Sequence, residues 1–162
     1  MTTVIVPHVA NNRANSPTIL GKSAVAVPLT GTTNETTLAT ISVPGGSMGL
    51  NGQIESILHF TYTSSANNKI LRLKLGATTF WQITATTTAN YQLYTRICNR
   101  NSTSSQVHFT LSAGTSGFGQ SGSAVTTGVI DTTADQDITI TGQLASAAET
   151  IQLESYLIIL NR

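Results

Sequence analysis

The chain has 162 residues, of which only 9% are charged, and a formal net charge of +1. That length suits one domain with a sizeable core, and so weak a charge supplies no field for steering a partner. Eight Lys and Arg spread along the sequence are too few to neutralise a phosphate backbone, so nucleic-acid binding is not expected.

Residues 1–19 form an expected N-terminal arm. Val4, Ile5 and Val6 make a short β-branched patch among the breakers Pro7, Asn11, Asn12 and Pro17. No basic region precedes an apolar stretch here, so no secretory signal is expected. A single sandwich domain is expected over residues 20–162. Its composition is that of a β protein: 28 Thr favour strands, while 16 Ser and 13 Gly favour turns.

The first strand is expected over residues 21–27, closed by Pro28, and the second over 36–43, ended by Pro44-Gly45-Gly46. Residues 46–52 read as a loop. Over 53–63, Ile54, Ser56, Leu58, Phe60 and Tyr62 share one face, and Glu55, Ile57, His59 and Thr61 the other. The polar residues 64–68 predict a hairpin to the next strand, 69–75, where Leu71, Leu73 and Leu75 point inward and Arg72 and Lys74 outward. A strand over 79–84 carries Phe80, Trp81 and Ile83. Over 90–99, Tyr91, Leu93, Thr95 and Ile97 oppose Gln92, Tyr94, Arg96 and Cys98.

Residues 106–112 alternate with Val107, Phe109 and Leu111 inside and His108 outside; residues 113–123 are a Gly/Ser loop. Strands over 124–130, 137–141 and 149–160 complete about nine. The apolar run at 156–160 is far shorter than the roughly 20 residues of a spanning helix, so no membrane segment is expected. Regular strand spacing with turns between predicts an antiparallel sandwich or barrel.

Motifs for chemistry are sparse. His8, His59 and His108 lack metal-ligand spacing, and Cys98, the one cysteine, excludes an internal disulfide and fits a reducing compartment. Gly117-Phe118-Gly119-Gln120-Ser121-Gly122 is not a nucleophile elbow. Asp131, Asp135 and Asp137 are close together, but a calcium loop begun at Asp131 would put Gln136 and Gly142 where Gly and Glu are needed. The expectation is a turn whose Asp side chains cap backbone. Asn34-Glu35-Thr36 and Asn101-Ser102-Thr103 read as exposed polar turns. Phe80, Trp81, Tyr91 and Tyr94 are expected in core or subunit-interface packing and not on a sugar-binding shelf. No catalytic residue, cofactor or metal is assigned, and substitution of Glu149, His108 or Asp135 is expected to leave particle stability nearly unchanged.

Several runs resemble small virion proteins of tailed bacteriophages. They are Glu35-Thr36-Thr37-Leu38-Ala39-Thr40-Ile41, Gly49-x-Asn51-Gly52, Asn67-Asn68-Lys69-Ile70-Leu71-Arg72-Leu73-Lys74 and Arg100-Asn101-x-x-x-Ser105-Gln106. Asp131-Thr132-Thr133-Ala134-Asp135-Gln136-Asp137-Ile138, Gly142-Gln143-Leu144-Ala145 and Glu149-Thr150-Ile151-x-Leu153-Glu154-Ser155-Tyr156 extend the likeness, which covers residues 30–160. The resemblance implies a jelly-roll-like sandwich that trimerises on the particle surface, as a head decoration (cement) protein or a fibre tip. It implies a location in the virion after synthesis in the bacterial cytoplasm, and carries over no catalytic residue.

The expected partners are further copies of the chain and the major capsid protein or another virion protein. The alternative role is a host-receptor or glycan-binding module of a fibre. In the last strand, Ile151, Leu153, Leu157 and Ile159 share one parity, and Tyr156, Ile158 and Leu160 the other. Two-sided burial is expected, with Tyr156, Ile158 and Leu160 at a homotrimer interface. Val4, Ile5 and Val6 are the expected capsid contact, through strand addition.

Overall fold

The computed structural model describes residues 16–108 and 125–162. The arm patch Val4, Ile5 and Val6, the Gly/Ser loop 113–123, His8, Phe109 and Leu111 lie outside the described residues. Among those described there are eleven strands and no helix. They are β1 (Thr18–Ser23), β2 (Val27–Leu29), β3 (Thr36–Val43), β4 (Gln53–Tyr62), β5 (Lys69–Leu75), β6 (Thr78–Ala85), β7 (Asn90–Asn99), β8 (Gln106–His108), β9 (Thr126–Gly128), β10 (Gln136–Leu144) and β11 (Ile151–Asn161).

Two antiparallel sheets result. The larger runs β1-β11-β4-β7-β8-β9, with β2 also on β11; the smaller runs β3-β10-β5-β6. Strands of the first half pair in reverse with strands of the second: β1 and β2 with β11, β3 with β10, β4 with β7, β5 with β6. That is one long hairpin wound over itself. The winding is a jelly roll, extended by the short strands β8 and β9.

The clear alternations hold. Ile54, Ser56, Leu58, Phe60 and Tyr62 are buried, as are Leu71, Leu73 and Leu75 and, from β7, Leu93, Thr95 and Ile97. With Ile138, Ile140, Ile151, Leu153, Ile158 and Leu160 they fill the space between the sheets. Each such side chain contributes on the order of 1.5–3 kcal/mol by leaving water.

Other expectations need correction. The strand expected over 21–27 is two strands on one neighbour: Thr18 to Ser23 lie along Leu160 to Tyr156, and Val27 to Leu29 along Leu153 to Ile151. The expected arm, residues 1–19, therefore ends inside β1. Pro28 lies within β2, which pairs only with β11, and a strand at an edge loses nothing by its missing N–H. Residues 64–68 do not make a hairpin. Both edges of β4 are taken by β11 and β7, so this connection crosses to the other sheet. The tight hairpin is instead β5 to β6, turned by Gly76 at φ +54 and Ala77.

Bulges account for the misread parities. In β11 the register shifts between Leu153 and Ser155, which moves the buried set from Ile151 and Leu153 to Ile158 and Leu160. A shift between Leu73 and Lys74 lets the consecutive Phe80 and Trp81 both reach the core. Phe80 meets β9 so closely that a Cβ on Gly128 would lie 2.5 Å from its ring.

Candidate functional site

The expected interface residues on β11 face inward. Ile158 and Leu160 have no solvent exposure, and the half-buried Tyr156 packs against the same core. The chain's own second sheet covers them, because the bulge at Glu154 and Ser155 turned them in.

His108 also reverses its expected orientation. It is fully buried beside Phe80, and its Nε2 shares a 2.6 Å hydrogen bond with Thr95 Oγ1. Its Nδ1 has no hydrogen-bond partner among the described residues, and burial lowers its pKa from 6.5 to about 4. Strand β8 thus turns Gln106 and His108 inward and Val107 outward.

Asn99, Gln106 and Thr132, and Lys69 with Glu149, are buried polar side chains at the two ends of the sandwich. At one end, Gln106 Nε2 donates to Asn99 Oδ1 and to Ile130 O, both at 3.0 Å, and Gln106 Oε1 accepts Ile130 N–H at 2.8 Å. Asn99 Nδ2 donates to Gly49 O and Thr132 Oγ1, and Thr132 Oγ1 donates to Thr103 O. This network ties together the β3–β4, β7–β8 and β9–β10 loops. Asp135 adds a 2.7 Å bond from Gly45 N–H, and Asp131 caps Thr133, whose hydrogen bonds hold the Asp131 carboxyl below its usual pKa. Asp131 and Asp135 thus bond backbone at turns, as the sequence reading expects, whereas Asp137 lies within β10. An open depression of about 440 Å³ runs beside Asp135 and Asp137.

At the opposite end, Lys69 is fully buried. Its Nζ donates to Ser65 Oγ at 2.6 Å and to Asn67 O at 2.8 Å, and forms a 3.4 Å ion pair with Glu149. Glu149 accepts from Ser65 and Asn67, and the Ser65 hydrogen bond foremost holds its carboxyl below the usual range. This cluster ties the β4–β5 and β10–β11 loops. Glu149 and His108 are therefore structural groups, contrary to the neutrality expected of them.

The two outer faces differ. On the smaller sheet, Glu35 bonds to Lys74, Arg72 and Thr141, and Arg72 continues to Gln82 and Gln143. The Lys74 hydrogen bond foremost depresses the Glu35 pKa. On the larger sheet, the registers align two rows across four strands. One is Ile19, Ile159, Glu55 and Arg96; the next is Lys22, Leu157, Ile57 and Tyr94. Ile19 is 54% exposed and Tyr94 47%, while Ile57, Leu157 and Ile159 are partly exposed. Trp81 and Tyr91 instead pack together, centroids 5.6 Å apart, with Trp81 in the core.

On this same face His59 Nδ1 and Ser155 Oγ share a 2.7 Å hydrogen bond. Both residues are partly buried, on β4 and β11. Among the described residues no group of three or more His, Cys, Asp or Glu converges as a metal site would require. Cys98 is a partly buried free thiol, raised in pKa chiefly by burial. The surface residues Ile57, Leu157 and Ile159 escaped the sequence reading as a single patch because their rows join strands far apart in the chain.

Compared with known proteins, the chain matches no family model and no curated protein sequence.

Proposed function

We propose that this chain is a non-catalytic structural subunit of a bacteriophage virion, a decoration or cement protein that binds the head lattice as a homotrimer. The observation that carries the reading is a jelly roll whose loops are bound at both ends by buried polar networks, centred on Gln106 and Lys69. Such a body transmits load between neighbours without opening. The sequence runs that resemble phage virion proteins support the same reading. Val4, Ile5 and Val6 would add an extended segment to the major capsid protein or a neighbouring subunit. Binding the expanded lattice in preference to other states would stabilise it by linkage.

The receptor-binding alternative draws on one observation, the exposed Tyr94 ring with Arg96 stacked 5.6 Å from its centroid. The two readings separate in one experiment. Virions made without this chain are heated and assayed for DNA release, then tested for adsorption to cells. The cement reading predicts release at a lower temperature, restored by adding the purified chain. Intact particles that cannot adsorb would instead assign it to receptor binding.

A further inference from the structure

We infer that Asn51, in the loop between β3 and β4, is a self-modification site. In the folded chain the Gly52 nitrogen displaces its amide, and the isoaspartate that results loosens this end of the sandwich. The inference does not depend on the proposed role in a virion.

Three observations put the reaction here. First, Asn51 is the one asparagine followed by glycine; every other precedes a residue with a side chain. A glycine nitrogen has no neighbouring Cβ to shield it, and its backbone turns more freely than that of other residues, so it attacks the preceding side-chain carbonyl most readily. Second, the fold demands glycine at that position. A Cβ on Gly52 would lie 1.9 Å from Met48 O and 2.7 Å from the Met48 carbonyl carbon. Both are backbone atoms, so no rotamer relieves the clash, and Met48 is itself buried in the core. The tight loop that seats Met48 thus imposes the reactive dipeptide. Third, the Asn51 side chain is exposed and makes no hydrogen bond among the described residues. By contrast, Asn99 is buried and bonded through both side-chain atoms, and Asn67 donates to Glu149.

The chemistry needs only water. The Gly52 nitrogen bonds to Asn51 Cγ and gives up its proton, which leaves with the side-chain nitrogen as ammonia, and a five-membered succinimide remains. Water then opens the ring. Opening at Cγ gives aspartate; opening at the main-chain carbonyl gives isoaspartate, whose main chain runs through Cβ and Cγ and is one methylene longer. Either product replaces a neutral amide by a carboxylate and lowers the formal net charge of +1 by one.

The loop has no slack for an added atom. Ser102 N–H donates to Leu50 O at 3.1 Å, Asn99 N–H to Gly52 O at 2.9 Å, and Asn99 Nδ2 to Gly49 O at 2.6 Å. These bonds flank Asn51 on both sides and lead through Asn99 to Gln106 and Thr132. Lengthening the chain between them breaks at least one, whereas aspartate at the same position keeps them all.

The test holds the purified full chain in mildly alkaline ¹⁸O-water, folded in one sample and in urea in another, and maps both by peptide mass spectrometry. In the folded sample ¹⁸O should enter at residue 51 at least tenfold faster than at the exposed Asn34, Asn67 or Asn101. The product should be mainly isoaspartate, labelled by an isoaspartate-specific methyltransferase. The isoaspartate form, separated by ion exchange, should melt several degrees below the parent. Asn51→Asp, which carries the charge without the extra atom, should melt with the parent, and Asn51→Gln should gain no ¹⁸O at residue 51. Conversion confined to the urea sample, conversion no faster than at the other exposed asparagines, or an isoaspartate form as stable as the parent would each overturn the inference.

Discussion

Lys69 Nζ, fully withdrawn from solvent, lies 3.4 Å from a Glu149 carboxylate oxygen across the junction of two sheets. A buried ammonium holds its charge only while its acceptors are in place, so removing the buried Glu149 carboxylate is costly. Glu149→Gln should lower the melting temperature by several degrees at pH 7. The Glu149 pKa is depressed below its ordinary 4.5, first by the Ser65 hydrogen bond. Its contribution is therefore complete at neutral pH and drains away as pH falls below about 4.5. The gap between the melting temperatures of parent and variant should narrow as pH falls below 4.5. Equal melting temperatures at pH 7 would refute this role.

His108 predicts a separate acid sensitivity. Its native pKa of about 4 lies below the ordinary 6.5, so the unfolded chain binds its proton first. Stability is unaffected above pH 6.5 and falls as pH drops from there toward 4. The loss between pH 7 and pH 5 is roughly 2 kcal/mol from this group. Urea unfolding at the two pH values measures it, and His108→Gln should remove most of the difference. An unchanged pH dependence in the variant would place the titration elsewhere.

Leu73 has no exposure and packs at the centre of the four-stranded sheet, opposite Ile140 on β10 and Trp81 on β6. Leu73→Ala should cost about 2–5 kcal/mol through the cavity it leaves. Denaturant titration should show a lower midpoint with the slope preserved, and virions carrying the variant should lose the subunit on mild heating.

The role proposed for Val4, Ile5 and Val6 separates from folding. Removing residues 2–15 should leave the melting temperature of the sandwich within a few degrees of the parent. Binding to undecorated particles, measured by co-sedimentation, should weaken at least tenfold. Equal binding by the truncated chain would free the arm of any anchoring role.

Where one register ran unbroken, the sequence was readable: β4, β5 and β7 alternate without a shift on their legible faces, and Ile54 through Tyr62 fell on the expected side. A bulge defeated the same method in β11, because one extra residue inverts parity and leaves no mark in composition. Polarity misled it at Gln106 and His108. Both are residue types expected at the surface, buried here where Ile130 of the β9–β10 loop bonds to Gln106 and Thr95 of the paired strand β7 bonds to His108. The outer apolar rows were hidden for a related reason. Ile19, Ile57 and Ile159 are neighbours only through pairings of β1 and β4 with β11.

The most direct test of the central claim is cryo-electron microscopy of intact virions produced with and without this chain. The account predicts jelly-roll density where capsid subunits meet on the head surface, absent when the gene is deleted. Density confined to a tail or fibre tip, or identical maps from both preparations, would contradict it.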